Sequence, residues 1–142
     1  MRPLMLAGAL ALLAAPALAA GTATLTVKVM NVSDKGGDLR VGVYDHATFI
    51  VRGSTPLAHQ IVPAKAGTMS VVFQGLKPGE YGVKLFQDVN RNGRMDMTMM
   101  GMMPDEPYGL SNDAAPSMSG PPWDDAKFTL KPGVTTIAIR LH

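Results

Sequence analysis

Apolar and polar residues alternate with a period of two through six separate stretches of the chain. Leu25, Val27 and Val29 alternate with Thr24, Thr26 and Lys28. Leu39, Val41 and Val43 alternate with Arg40, Gly42 and Tyr44. Met69, Val71 and Phe73, then Tyr81, Val83 and Leu85, keep the same rhythm, as do Phe128 and Leu130 around Thr129. Ile137, Ile139 and Leu141 close the series. A period of two is that of a strand with one buried face. A weaker strand is expected over His59 to Val62, ending at Pro63. No long window after residue 20 carries the 3.6-residue period of a helix.

Turn signals separate these runs: Asp34-Lys35-Gly36-Gly37, Lys65-Ala66-Gly67, Lys77-Pro78-Gly79 and Lys131-Pro132-Gly133. Gly plus Pro is 15 + 11 = 26 of 142 residues, which suits a turn-rich β protein rather than a bundle. About seven short strands with alternating faces predict a single all-β domain. The expected fold is an immunoglobulin-like or transthyretin-like β-sandwich with one long loop over residues 88–125.

The first residues, MRPLMLAGALALLAAPALAA, have a different character. Arg2 precedes an apolar run, Pro16 interrupts it, and Ala17-Leu18-Ala19 is a small-x-small cleavage pattern. This is the layout of a secretory signal peptide. The division expected is a signal peptide over 1–19 and a sandwich domain over 20–142, with cleavage after Ala19 or Ala20. Removing Arg2 takes the charge from 13 basic and 11 acidic to 12 and 11, or +1. A periplasmic or secreted protein is expected, with no membrane span after cleavage. So weak a charge bias excludes a nucleic-acid-binding surface. The absence of Cys excludes disulfides, thiol catalysis, thiolate metal sites and a lipid-modified cysteine anchor.

Leu76-Lys77-Pro78-Gly79-Glu80-Tyr81 reads as a tight turn entering a strand. Tyr81 is expected to bury its ring and return its hydroxyl to nearby backbone, as a tyrosine corner does. The turn followed by Tyr-x-Val resembles the transthyretin-like and collagen-adhesin B-type sandwich domains of secreted proteins.

Asp88-Val89-Asn90-Arg91-Asn92-Gly93-Arg94-Met95-Asp96 follows directly. Side-chain oxygens fall at loop positions 1, 3, 5 and 9, with Gly at 6, the pattern of a loop bent around a hard cation. The candidate calcium ligands are Asp88, Asn90, Asn92, the Arg94 carbonyl and Asp96. Position 12 is Met99 where the standard loop has a bidentate Glu, so Asp105, Glu106 or Asp113 would have to fold back to complete the shell. Arg91 and Arg94 place positive charge beside the site. Without an ion, the same residues make an Asn-Gly turn held by Asx hydrogen bonds.

Six methionines follow closely: Met95, Met97, Met99, Met100, Met102 and Met103. Thioethers suit Cu(I), so periplasmic copper binding is the alternative function. The other reading is that adaptable Met side chains fill an irregular apolar loop.

The ordered series Val41-Gly42-Val43-Tyr44-Asp45, Leu76-x-Pro-Gly-x-Tyr81, Phe86-x-Asp88-x-Asn90-x-Asn92-Gly93-x-x-Asp96, Tyr108-Gly109-Leu110-Ser111-Asn112 and Gly120-Pro121-Pro122-Trp123-x-Asp125-Ala126-x-Phe128 carries a family resemblance. It resembles the small exported bacterial proteins catalogued as domain of unknown function twenty-one forty-one. The resemblance implies export and a sandwich fold, and no assigned activity. The methionines depart from the family pattern, which has ordinary apolar residues there, so Met99, Met100 and Met102 read as substitutes for core residues.

No zinc-protease motif, nucleophile elbow, phosphate loop or dinucleotide fingerprint is present. His46, His59 and His142 lie in sequence that suggests surface positions. Asp124 and Asp125 are adjacent, and on a strand would face opposite ways. The chain is therefore expected to be a non-catalytic exported sandwich that binds another molecule, with an envelope protein or a glycan as partner.

Overall fold

The computed structural model describes residues 21–98, 100–101, 103–116 and 120–142. The expected signal peptide lies outside the described residues, as do Met99 and Met102. The elements run in chain order as β1 (Ala23–Val32), β2 (Asp38–Tyr44), α1 (His46–Phe49), β3 (Ala58–Pro63), β4 (Gly67–Leu76) and β5 (Gly79–Asp88). They continue as β6 (Met97–Thr98), β7 (Met103–Pro104), β8 (Tyr108–Leu110), α2 (Trp123–Ala126), β9 (Phe128–Leu130) and β10 (Gly133–Arg140). A short 3-10 turn covers Ser111–Asp113.

Two sheets form the sandwich. One has the order β10-β1-β4 and the other β3-β2-β5-β8, with β9 pairing the start of β5. β1 runs parallel to β10, and its other neighbour, β4, is antiparallel. The four expected turns fall between consecutive strands: β1–β2, β3–β4, β4–β5 and β9–β10. The odd-numbered residues of the longer alternating runs point inward, as do Phe128 and Leu130 of β9. Leu25, Val27, Val29, Val71, Phe73 and Ile139 of one sheet meet Leu39, Val41, Val43, Val83 and Leu85 of the other, all buried in one core cluster. Removing this apolar surface from water is the main stabilising term.

Tyr81 makes the expected corner: its hydroxyl donates to the Lys77 carbonyl oxygen at 2.6 Å. A second, smaller cluster caps one end. Phe49 of α1 and Trp123 of α2 pack edge to face with ring centroids 5.5 Å apart, and both are buried. Asp45 and Thr48 form a capping box at the start of α1.

The segment 88–125 is more ordered than its sequence suggests. It contains the β6–β7 ribbon, β8, the 3-10 turn and the start of α2. β8 extends the second sheet through Lys84↔Leu110, Leu85↔Gly109 and Phe86↔Tyr108. Strands of two or three residues are too short to show alternation. Asp124 and Asp125 sit in the first turn of α2, not on a strand. Among the described residues, no helix is long and apolar enough to cross a membrane.

Candidate functional site

Strand register decides which residues share the outer face of the β3-β2-β5-β8 sheet. His59, Gly42, Lys84 and Leu110 lie side by side across the four strands. Ile61, Arg40, Phe86 and Tyr108 form the next row. The outer face of a two-layer sandwich is ordinarily polar. Here it carries Ile61, Phe86, Tyr108 and Leu110, and Tyr44 joins them from the end of β2.

The face is concave. A groove of about 630 Å³ runs over it, lined mainly by apolar surface. The segment 53–56 borders it on one side, and Gly93 and Met95 border it on the other. Gly42 makes the floor. A Cβ there would stand 2.8 Å from the Tyr44 ring, so the ring lies across the bare backbone. A volume of this size is typical of small-molecule sites.

Two cations line the groove, Arg40, which is paired with Asp88, and Lys84. The Lys84 ammonium donates to the Phe49 carbonyl oxygen at 2.6 Å and lies 4.7 Å from the ring centroids of both Tyr44 and Phe49. Burial pulls its pKa below the usual lysine value. Burial likewise raises the Tyr44 hydroxyl. Among the described residues, no Asp or Glu lines the groove, and the ion pairs are Arg40–Asp88, Arg91–Asp38 and Lys127–Asp124.

The Asp88 loop forms the rim that carries Gly93 and Met95. Asp88 is fully buried at the end of β5. Its Oδ2 accepts from Arg40 Nε and from the Gly93 backbone N–H, each at 2.8 Å. Its Oδ1 accepts from the Asn92 N–H at 3.1 Å. Burial alone would raise the Asp88 pKa. The Gly93 N–H, the Arg40 guanidinium and the Asn92 N–H outweigh it and hold the carboxyl below the usual carboxylate value. Gly37 passes underneath. A Cβ there would fall 2.1 Å from the Asp88 carbonyl oxygen, and its φ of +80° independently favours glycine.

The residues nominated by the loop spacing converge. Asn92 Nδ2 donates to Asp96 Oδ1 at 2.6 Å, and Asn90 Nδ2 donates to Asp96 Oδ2. Asn90 Oδ1 accepts from the Asn92 N–H at 3.2 Å, and Asn92 Oδ1 from the Arg94 N–H at 3.1 Å. These are the Asx turns expected of the sequence. Among the described residues, no three His, Cys, Asp or Glu side chains cluster as metal ligands. A hard cation here would instead draw on two carboxylates, two amides and the Arg94 carbonyl. Such an ion would compete with the hydrogen bonds that already occupy Asn90 Oδ1, Asn92 Oδ1 and both Asp96 oxygens.

Glu106 is the residue that folds back. It is buried, and its two carboxylate oxygens accept from the Val89 and Asp96 backbone N–H groups at 2.7 and 2.9 Å. It therefore closes the loop through backbone rather than through the position an ion would take. Asp105 contributes its own N–H to the Asp96 carbonyl oxygen at 2.8 Å. Asp113 lies elsewhere and accepts from the Arg140 N–H. Arg91 turns away to Asp38 at 3.3 Å.

The described methionines do not gather at one point. Met95 lines the groove. Met97 pairs with Pro104 and Met103 with Thr98 in the β6–β7 ribbon, which places the two methionines on opposite faces. Met100 is fully exposed between the two strands. His46 stacks on Trp123 with ring centroids 5.1 Å apart and is itself exposed.

Three groove-lining residues escape sequence reasoning. Arg40, Lys84 and Tyr44 occupy polar or ambiguous places in an alternating strand, which ordinarily mark the solvated face. The glycine at 42 is the one local signal of a dent there.

No curated protein and no solved structure matches the chain. Residues 27–138 match the family described as an uncharacterized protein conserved in bacteria (DUF2141), and the chain belongs to that family.

Proposed function

We propose that this is an exported, non-catalytic binding protein whose ligand site is the groove on the outer face of the β3-β2-β5-β8 sheet. The observation that carries the reading is the grooved patch of Tyr44, Phe86, Tyr108 and Leu110 on a face that a sandwich ordinarily leaves polar. The lining supports binding rather than catalysis. Among the described residues, His59 has no carboxylate beside it in the groove to orient it as a base, and the Ser54 hydroxyl donates to the Thr48 carbonyl oxygen.

The Asp88–Asp96 loop is the brace of one rim in this proposal. Calcium is its ion, held by Asp88, Asn90, Asn92, Asp96 and the Arg94 carbonyl. The ion orders the loop and supplies no reaction chemistry.

The test is an amide NMR titration of the 15N-labelled protein with 1-octanol, a neutral amphiphile. Binding in the groove shifts the amides of Gly42, Lys84, Phe86 and Gly109. A spectrum unchanged up to the solubility limit of octanol rejects the groove as a ligand site. Mass measurement of the protein from the periplasmic fraction tests export: the expected species begins at Ala20 or Gly21, and a full-length product would overturn it.

A further inference from the structure

The groove is apolar along most of its length but carries one positive charge that no acidic side chain answers. Arg40 is already matched by Asp88. Lys84 is not: no carboxylate lines the groove, and none of the ion pairs of the described residues includes it. One of its three N–H donors goes to the Phe49 carbonyl oxygen, which leaves two for another acceptor. The rings of Tyr44 and Phe49 hold the ammonium in place. A half-buried cation of this kind, lacking an anion of its own, is costly unless a partner completes it.

The charge lies toward one end. Lys84 stands in the row with Gly42, next to Tyr44, whereas Ile61, Arg40, Phe86 and Tyr108 form the following row, in which Arg40 is held by Asp88. Gly93 and Met95 lie beyond them. Along β2, from Tyr44 to Arg40, the surface extends for about 13 Å at about 3.3 Å per residue. A ligand that satisfied both parts would have an anionic head at Lys84 and an apolar tail over Phe86 and Tyr108.

We infer that the groove binds a small amphipathic carboxylate, with the Lys84 ammonium pairing its head group and the Phe86–Tyr108 row covering its tail. This rests on the groove being a ligand site and adds the chemical class of the ligand. Charge complementarity selects it over a neutral amphiphile. The bounded concave volume selects one small molecule over an extended lipid surface.

Octanoate and 1-octanol share a chain length and differ in the head group, so the two titrations separate the claims. Octanoate is expected to bind at least about tenfold more tightly than octanol, the effect of one charge-assisted contact in a partly desolvated site. Lys84→Met is expected to bring octanoate down to the affinity of octanol, and Lys84→Arg to retain the preference. Equal binding of the two ligands to the wild-type protein overturns the carboxylate inference and leaves the groove standing. Failure of both ligands overturns the groove itself. An undiminished octanoate preference in Lys84→Met removes Lys84 as the reader of the head group. Sedimentation showing a dimer whose dissociation shifts the same amides assigns the face to a second copy and overturns the inference. If Lys84→Met loses the dispersed core resonances, Lys84→Arg and the wild-type comparison still decide the question.

Discussion

Arg40 Nε donates to Asp88 Oδ2 at 2.8 Å, joining the outer face of β2 to the buried end of β5. Gly93, from the loop that Asp88 organises, rests against the same guanidinium. Its Cβ position lies 3.5 Å from Arg40 Nη2. One ion pair thus ties the floor of the groove to its rim.

Arg40→Ala should destabilise the fold by about 2–3 kcal/mol, because it leaves the Asp88 carboxylate buried without its cation. The figure lies below the roughly 3–5 kcal/mol of a fully buried pair because the Arg40 side chain is 26% exposed. Urea unfolding of the two proteins measures it. A difference below about 0.5 kcal/mol would mean that the Gly93 and Asn92 N–H groups suffice alone.

Asp88 also sets an acid limit. Its folded pKa lies below the unfolded value of about 3.9. Its contribution is therefore present above about pH 4 and is lost as pH falls through the folded value. Asp88→Asn keeps the shape and removes the charge. The stability advantage of wild type over Asp88→Asn should hold from neutral pH to about pH 4 and shrink below it. Thermal melts across that range check the sign; an advantage that grows on acidification would contradict it.

Millimolar calcium should raise the melting temperature by several degrees relative to chelator if the loop binds the ion in its folded form alone. Asp96→Ala should abolish the rise, since Asp96 collects both Asn side chains and has no role in the core. An identical melt with calcium and with chelator would remove the ion and leave a loop held by hydrogen bonds and Arg40.

Tyr81→Phe should cost about 1 kcal/mol, the net worth of one hydrogen bond. The hydroxyl bond to Lys77 is lost while the buried ring stays. The same substitution should leave octanoate affinity unchanged, because Tyr81 faces the core and does not line the groove. Parallel unfolding and binding measurements separate the two effects.

Much of the fold is legible in local pattern. Leu25-x-Val27-x-Val29 and Leu39-x-Val41-x-Val43 declare strands because burial on one face imposes the period of two. Gly36-Gly37 declares a turn because both take a positive φ that few other residues adopt, and Pro78 because its ring fixes φ. The β6–β7 ribbon and β8 give no such sign: pairing with neighbours, not an internal period, defines strands of two or three residues. Within the loop, the convergence of Asp88, Asn90, Asn92 and Asp96 is local and follows from their spacing. The closure by Glu106, seventeen residues from Val89, depends on how the ribbon folds back.

By itself, the sequence determined the all-β class, the inward residues, the corner at Tyr81 and the Asx-turned loop after Asp88, since each depends on neighbours close along the chain. Only the tertiary structure decided that His59, Gly42, Lys84 and Leu110 form one row, and that Ile61, Arg40, Phe86 and Tyr108 form the next. Those residues come from four strands. Hydrogen-bond register brings them together, and a shift of one residue in any strand would turn its members into the core.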